Sequence, residues 1–269
     1  GQRAPEFLSA AGFSSSPHLM LSGTYAASGK YYQLFQIGFG GIPGRPFGDG
    51  ADGHSLWPNF TNVPNEFLEA YFPLRIERYE SITDSGGAGK HRGGNGVRIT
   101  YRFLEKGLIA IHDDRWFIKP WGVNGGDPGM RSKKILVRAD GTETVVPSKC
   151  DDIVVYPGDQ LHYDTWGGGG WGDPLERDPA LVALDVKRGL VSVEGAKRYG
   201  VIAALDGTFD AVGTEALRAS IKASRPAGGI FNYGGDVETL RASCEAETGL
   251  PAPKPPQFQA GAGLKIAAE

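Results

Sequence analysis

Five histidines, His18, His54, His91, His112 and His162, are the side chains best suited to ligate a metal or move a proton near neutral pH. No two of them stand in the i,i+4 or His-x-His spacing of a local metal site. His112-Asp113-Asp114 sets three ligating residues in a row. Successive residues of a strand point to opposite faces, however, so His112 and Asp113 are expected to diverge. His54 differs from the others. It follows Asp52-Gly53 in a loop ahead of the Asn59–Glu66 segment, where a polar group can face a pocket; the competing reading is a solvated loop histidine. Phe39, Gly40, Asp52, His54, Asn59, Asn62 and Glu66 form the candidate substrate-pocket set, with polar groups able to orient a carbonyl compound. No Ser/His/Asp order stands out, and Ser148-Lys149 reads as a surface dipeptide. No catalytic residue is assigned, and no metal is expected to be held by this chain alone.

Two glycine-rich segments raise the question of anion binding. Gly86-Gly87-Ala88-Gly89-Lys90 has the texture of a phosphate loop, but lacks both the spacing and the Ser or Thr after lysine that G-x-x-x-x-G-K-[ST] requires. A structural loop joining two strands is the expectation. Gly167 to Gly170, between Trp166 and Trp171, could bring backbone N–H groups to an anion or a partner. The alternative, which we favour, is a tight packing corner closed by the two tryptophans.

These loops need a scaffold, and its first part reads as β-rich. Tyr31 to Ile37 is aromatic and branched and ends at a glycine cluster. Leu74 to Tyr79 alternates apolar and charged residues, the pattern of a half-buried strand. Val97 to Phe103 and Leu108 to His112 are two further strands. Lys134 to Arg138, Ala139-Asp140-Gly141 and Thr142 to Val146 read as a hairpin. Asp152 to Tyr156, Pro157-Gly158-Asp159 and Gln160 to Thr165 read as a second of the same design. One helix interrupts, with Asn62 as its cap, Pro64 in its first turn and Phe67, Leu68 and Tyr71 on its apolar side.

After Trp171-Gly172-Asp173-Pro174 helical signals take over. Asp178-Pro179 starts one helix and Gly189 ends it. Ser192 to Tyr199, Thr214 to Ala223 and Asp236 to Glu247 are three more, and Pro251 to Pro256 is expected to lie extended. The fold class expected is α+β. Residues 1–174 form a β-rich region with glycine-rich loops, and residues 175–269 a helical region with a proline-rich extended tail; no sheet is expected after residue 178.

Bulk composition narrows the function classes. Glycine is the outlier, with 41 among 269 residues, roughly twice the ordinary share. The clusters sit between aromatic and branched residues, so they belong inside a fold, at turns or close backbone approaches. A formal charge of −3 with no Lys/Arg run argues against a nucleic-acid partner. No apolar stretch approaches the roughly 20 residues of a membrane span, so no membrane partner and a cytoplasmic location are expected. The two cysteines, Cys150 and Cys244, stand too far apart for a local disulfide framework and read as buried or half-buried thiols.

Several segments, taken in order, carry a family resemblance. They begin with Phe39-Gly40-Gly41, Asp49-Gly50-Ala51-Asp52-Gly53, Thr61 to Glu69 and Pro73 to Tyr79. Asp84 to Gly96, Asp114-Arg115, Pro120 to Gly126 and Asp127-Pro128-Gly129 follow. Asp140-Gly141, Pro147-Ser148-Lys149, Pro157-Gly158-Asp159 and Gly167 to Pro174 close the series. The ordered set, over about residues 30 to 200, resembles the carboxy-terminal half of the B-type subunit in the hydantoinase B/oxoprolinase family.

The resemblance implies an ATP-dependent enzyme that opens cyclic amides such as hydantoins, oxoproline or lactams. Its alternatives are a ketone carboxylase of the acetone or acetophenone type, or a non-catalytic accessory subunit. It implies three partners: an ATP-binding hydantoinase A-type subunit, the amino-terminal half of the B-type subunit, and a small-molecule substrate. ATP and a divalent metal are then expected elsewhere in the complex, the metal on His and Asp residues of that other half. The chain is not expected to be active alone.

Overall fold

The structure is a computed structural model, and it describes residues 3–12, 17–54, 61–225 and 229–254. Its β-rich part is a sandwich. One sheet has four strands in the order β2-β1-β5-β9, where β1 is His18–Thr24, β2 Tyr31–Ile37, β5 Gly107–His112 and β9 Lys149–Val155. The other has five, in the order β3-β4-β10-β7-β8. These are β3 (Leu74–Ser81), β4 (Val97–Phe103), β10 (Gln160–Asp164), β7 (Lys133–Val137) and β8 (Glu143–Val146). Every pairing in both sheets is antiparallel.

Alternation produces this arrangement. Along β2, Tyr32, Leu34 and Gln36 point inward and Tyr31, Gln33 and Phe35 outward, the period-2 signature of a half-buried strand. Leu19, Leu21, Leu34, Ile109 and Ile111 of the first sheet meet Ile99, Tyr101, Phe103, Leu161 and Tyr163 of the second in one buried cluster. A short helix, α1 (Asn65–Tyr71), adds Leu68 to that cluster and packs on β3.

Two local expectations in the sandwich need correction. Pro64, not Asn62, occupies the N-cap of α1, and no side chain caps it; the Asn62 side chain bonds to Tyr79 instead. The segments around Pro157-Gly158-Asp159 are strands but not a hairpin, because β9 pairs with β5 while β10 pairs with β4 and β7. The chain crosses between sheets there. The buried Asp159 carboxylate holds the corner by accepting from the amides of Tyr156 and Ala139 and from Arg138. The strand β1 was not anticipated.

Beyond residue 174 come α2 (Pro179–Lys187), α3 (Ala211–Ser224) and α4 (Val237–Thr248). Each begins on an aspartate whose carboxylate accepts a backbone N–H: Asp178 from Ala180, Asp210 from Gly213 and Asp236 from Thr239. Gly249, at φ 69°, ends α4. The expected helix at Ser192 to Tyr199 is a five-residue 3-10 turn, Gly195–Tyr199. A sheet does occur after residue 178: β11 (Phe231–Asn232) pairs with β6 (Gly122–Val123). The pair is only two residues long, and no alternating stretch announces it.

Between sandwich and helices runs a weave of glycine segments. Gly167 donates to the Met130 carbonyl, Gly168 to Gly94, Gly169 to Ala11 and Gly170 to Asp127. Four successive residues thus bond to four different stretches of chain. Such radiating bonds leave no room for side chains between neighbouring backbones, as at the crowded axis of collagen. A Cβ on Gly168 would lie 2.1 Å from the Ile42 oxygen, and one on Gly94 1.8 Å from the Ala51 oxygen.

Candidate functional site

The weave brings together the loops that carry most of the chain's polar motifs. Beside it is a partly buried ion network, with Arg92, Arg177 and Asp185 buried and Asp49 and Asp52 half-buried. The Arg177 guanidinium grips both oxygens of Asp49 at 2.7 Å and reaches Asp185 at 2.8 Å. The Arg92 guanidinium grips both oxygens of Asp52, at 2.7 and 2.9 Å, and its Nε lies 3.6 Å from Asp185. Asp49 and Asp52 also accept the amides of Arg92 and Asn95. Burial by itself would lower the pKa of both arginines, but the paired carboxylates override it and hold both raised. Burial by itself would raise Asp49, and its bond to Arg177 overrides that to hold it below the usual carboxylate value. Tyr199, buried beside Arg177, is pushed up to about 12 by desolvation. The network fastens the Asp49–Asp52 loop to α2. Its charges are engaged with one another, so its chemistry is structural.

The glycine loops offer no anion cradle at the amides in question. Gly86 donates to Asn95, Gly87 to Gly168 and Lys90 to Gly172, and the Lys90 ammonium meets Glu176 at 3.2 Å. With the amides of Gly167 to Gly170 bound to carbonyls as well, both segments act as packing elements. His112 and Asp113 diverge: His112 faces Asp151 at 3.3 Å, while Asp113 forms a fully buried ion pair with Lys134. Among the described residues, no group of three or more His, Cys, Asp or Glu side chains is placed to share a metal ion.

The candidate pocket residues are only partly gathered. His54 donates its amide to the Gly40 carbonyl at 3.0 Å, and Gly40 rests against the Trp166 ring. Phe39 and Gly40 are buried, and the Asp52 carboxylate turns inward onto Arg92. The side chains of His54, Asn62 and Glu66 are exposed. Asn59 lies outside the described residues.

Sequence reasoning missed a cleft of about 770 Å³ where the end of α3 meets β6 and β11. Asn124, Asp127, Asp173, Lys222, Arg225 and Phe231 are among its lining residues. Arg225 pairs with Asp173 at 2.6 Å. Two signals pointed here: the Asp127-Pro128-Gly129 motif, and the i,i+3 spacing of Lys222 and Arg225, which sets both on one side of a helix end.

An antiparallel sandwich laced to a helical segment by interleaved glycine chains defines a specific architecture. The model of one family, hydantoinase B/oxoprolinase, matches residues 1–174, and the chain belongs to that family. Among curated relatives, the putative B-type subunit of a D-/L-hydantoinase from a Pseudomonas species is 33% identical over 174 residues, covering 64% of this chain and 29% of the relative. The beta subunit of the Pseudomonas jessenii caprolactamase is 35% identical over 161 residues, covering 58% and 28%. The matches therefore span less than a third of the length of these relatives. The crystal structure of the ATP-dependent caprolactamase from Pseudomonas jessenii superposes with a TM-score of 0.70 at 29% identity, over 81% of this chain and 39% of that one. A nucleotide-free acetone carboxylase superposes at 0.65 with 21% identity, over 86% and 35%, which is likeness of fold.

Proposed function

We propose that this chain is the carboxy-terminal part of a hydantoinase B-type subunit of an ATP-dependent cyclic amide hydrolase. One observation carries the reading: at 29% identity and a TM-score of 0.70, most of the chain is shared with an ATP-dependent caprolactamase. The carboxylase reading rests on fold alone, at 21% identity, and stands second. In the proposed assembly ATP is bound by a hydantoinase A-type subunit, and a divalent metal is held outside this chain. A ring amide is a poor electrophile, and ATP-dependent phosphorylation activates it.

This chain contributes scaffold and one wall of the substrate site. Its ion network fixes the Asp49–Asp52 loop, and His54 follows that loop with its amide bonded to Gly40. His54, Asn62 and Glu66, with Asn59, supply polar groups to a pocket completed by the rest of the subunit, while Phe39, Gly40 and Asp52 support them from beneath. The assembly works in the cytoplasm.

The test is reconstitution with the A-type subunit and the remaining B-type polypeptide, reading ATP turnover. A lactam or hydantoin should stimulate turnover. Stimulation by a ketone with bicarbonate in its place would establish the carboxylase. Full activity without this chain would make it an accessory.

A further inference from the structure

The cleft at the end of α3 holds two charges without an ion-pair partner among the described residues. Arg225 and Asp173 pair with each other. The Asp127 carboxylate is half-buried, and among the described residues it makes no hydrogen bond or ion pair; Arg198 and Arg225 act on it only from a distance. Partial burial raises its pKa, against the pull of Arg198 and Arg225, the mark of a carboxylate short of water. Lys222 lies in the last turn of α3 and lines the same cleft, also without an ion pair among the described residues. Leu175, Ile230 and Phe231 give the cleft apolar surface. Its volume of about 770 Å³ lies within the ordinary range of small-molecule sites.

This charge arrangement selects against simple ions. An anion drawn to Lys222 and Arg225 meets Asp127 and Asp173, and a cation drawn to Asp127 meets the two bases. A molecule carrying both charges, separated by an apolar spacer, satisfies both ends. We propose that the cleft binds a small zwitterion of the amino-acid type, its ammonium at Asp127, its carboxylate at Lys222 and Arg225, and its spacer against Ile230 and Phe231.

The link to catalysis rests on the hydrolase reading. Hydrolysis of a lactam breaks its C–N bond; water gives a hydroxyl to the carbonyl carbon and a proton to the nitrogen. One molecule then carries a carboxylate and an ammonium at its two ends, so the cleft is suited to the product class.

Titration calorimetry of this chain near neutral pH tests the proposal with 6-aminohexanoate, hexanoate and hexylamine. The zwitterion should bind at least about tenfold tighter than either singly charged probe. Asp127→Asn should bring its affinity down to that of hexanoate, and Lys222→Ala should lower it toward that of hexylamine, Arg225 remaining as the second partner of the carboxylate. Lys222 is exposed on a helix end, so its variant keeps the test decisive if Asp127→Asn fails to fold. Equal affinity for zwitterion and hexanoate, no binding of any probe, or unchanged binding in Lys222→Ala would overturn the proposal. Binding is read without ATP or partners, so a failure of the hydrolase reading shows only in turnover, and a failure here only in the calorimeter.

Discussion

A single methyl group separates two kinds of glycine in this chain. A Cβ on Gly94 would sit 1.8 Å from the Ala51 oxygen and 2.5 Å from its carbonyl carbon, both backbone atoms that cannot rotate away. Gly29, at φ +66°, has nothing within 4 Å of its would-be Cβ. Gly94→Ala should therefore cost about 3 kcal/mol or more, the upper end of overpacking effects. Gly29→Ala should cost about 1 kcal/mol, from its left-handed backbone alone. Urea denaturation measures both, and similar losses would refute the backbone-contact account. The sequence displays where glycine clusters but not which cause applies, because a turn glycine and a weave glycine are the same letter. Asp113 and Lys134, both fully buried, were equally opaque, since their pairing joins a strand end to a different sheet. Burial lowers the Lys134 pKa well below its ordinary value, yet removing the lysine alone strands Asp113. Lys134→Met should cost about 3–5 kcal/mol. Adding Asp113→Asn, which keeps an acceptor for the Asp114 amide, should recover part of that loss in the same denaturation experiment.

The elements show which signals travel in sequence and which do not. The Ala139-Asp140-Gly141 hairpin was legible because its code is local: Gly141 sits at φ 87° and β7 pairs directly with β8. Pro157-Gly158-Asp159 carries the same local code, with Gly158 at φ 93°, but its strands go to different sheets. A turn motif specifies that the chain reverses, not which strand it then joins. Helix starts were legible for the same local reason, through Asp178 and Asp236. How the helices dock was not, because their anchors are distant in sequence. Glu247, in the last turn of α4, meets Lys119 and Arg131, each at 2.6 Å. Burial opposes ionisation of Glu247, but hydrogen bonds from Arg131, Lys119 and Ser243 prevail and lower its pKa from 4.5 to about 2. A depressed carboxylate pKa stabilises the docked form above the unfolded value and loses that contribution as pH falls through the folded one. Docking of α4 should therefore weaken from about pH 4.5 down to about 2. Solvent reaches Glu247, so the effect on global stability is modest. Trp116, whose carbonyl accepts from Cys244 of α4 and from Arg131, reports docking through its fluorescence. Glu247→Gln should show a displaced signal already at neutral pH and little further change on acidification; an acid titration matching the wild type would disconnect Glu247 from docking.

At the scale of the whole molecule, the two faces of the four-stranded sheet differ in what covers them. The inner face is buried against the second sheet. On the outer face Phe35, 53% exposed, lies opposite Met20, which lies opposite Ala110 on the next strand. Tyr31 and Leu108, 65% and 41% exposed, flank a trough of about 400 Å³ over the small residues Ser22 and Gly23. Among the described residues the strand beside it, β2, is an edge of its sheet, seven residues long, with no proline or charged residue within it. Natural sheets protect such edges with prolines, bulges or lysines, because an open ladder recruits other strands. An apolar face and an unprotected edge together mark a surface that water covers poorly. In the caprolactamase structure the shared fold is only 39% of the chain, so that relative has ample polypeptide with which to cover an equivalent face. The isolated chain should accordingly self-associate as its concentration rises, and sedimentation velocity should show the weight-average mass climbing across a dilution series. Phe35→Lys combined with Leu108→Lys places charges on both sides of Met20 and Ser22 without touching the inner core, and should return the chain to a monomer with an unchanged thermal midpoint. If the unmodified chain stays monomeric throughout the series, water tolerates this face and it needs no cover. If the double variant associates as strongly as the wild type, the attraction lies on another surface.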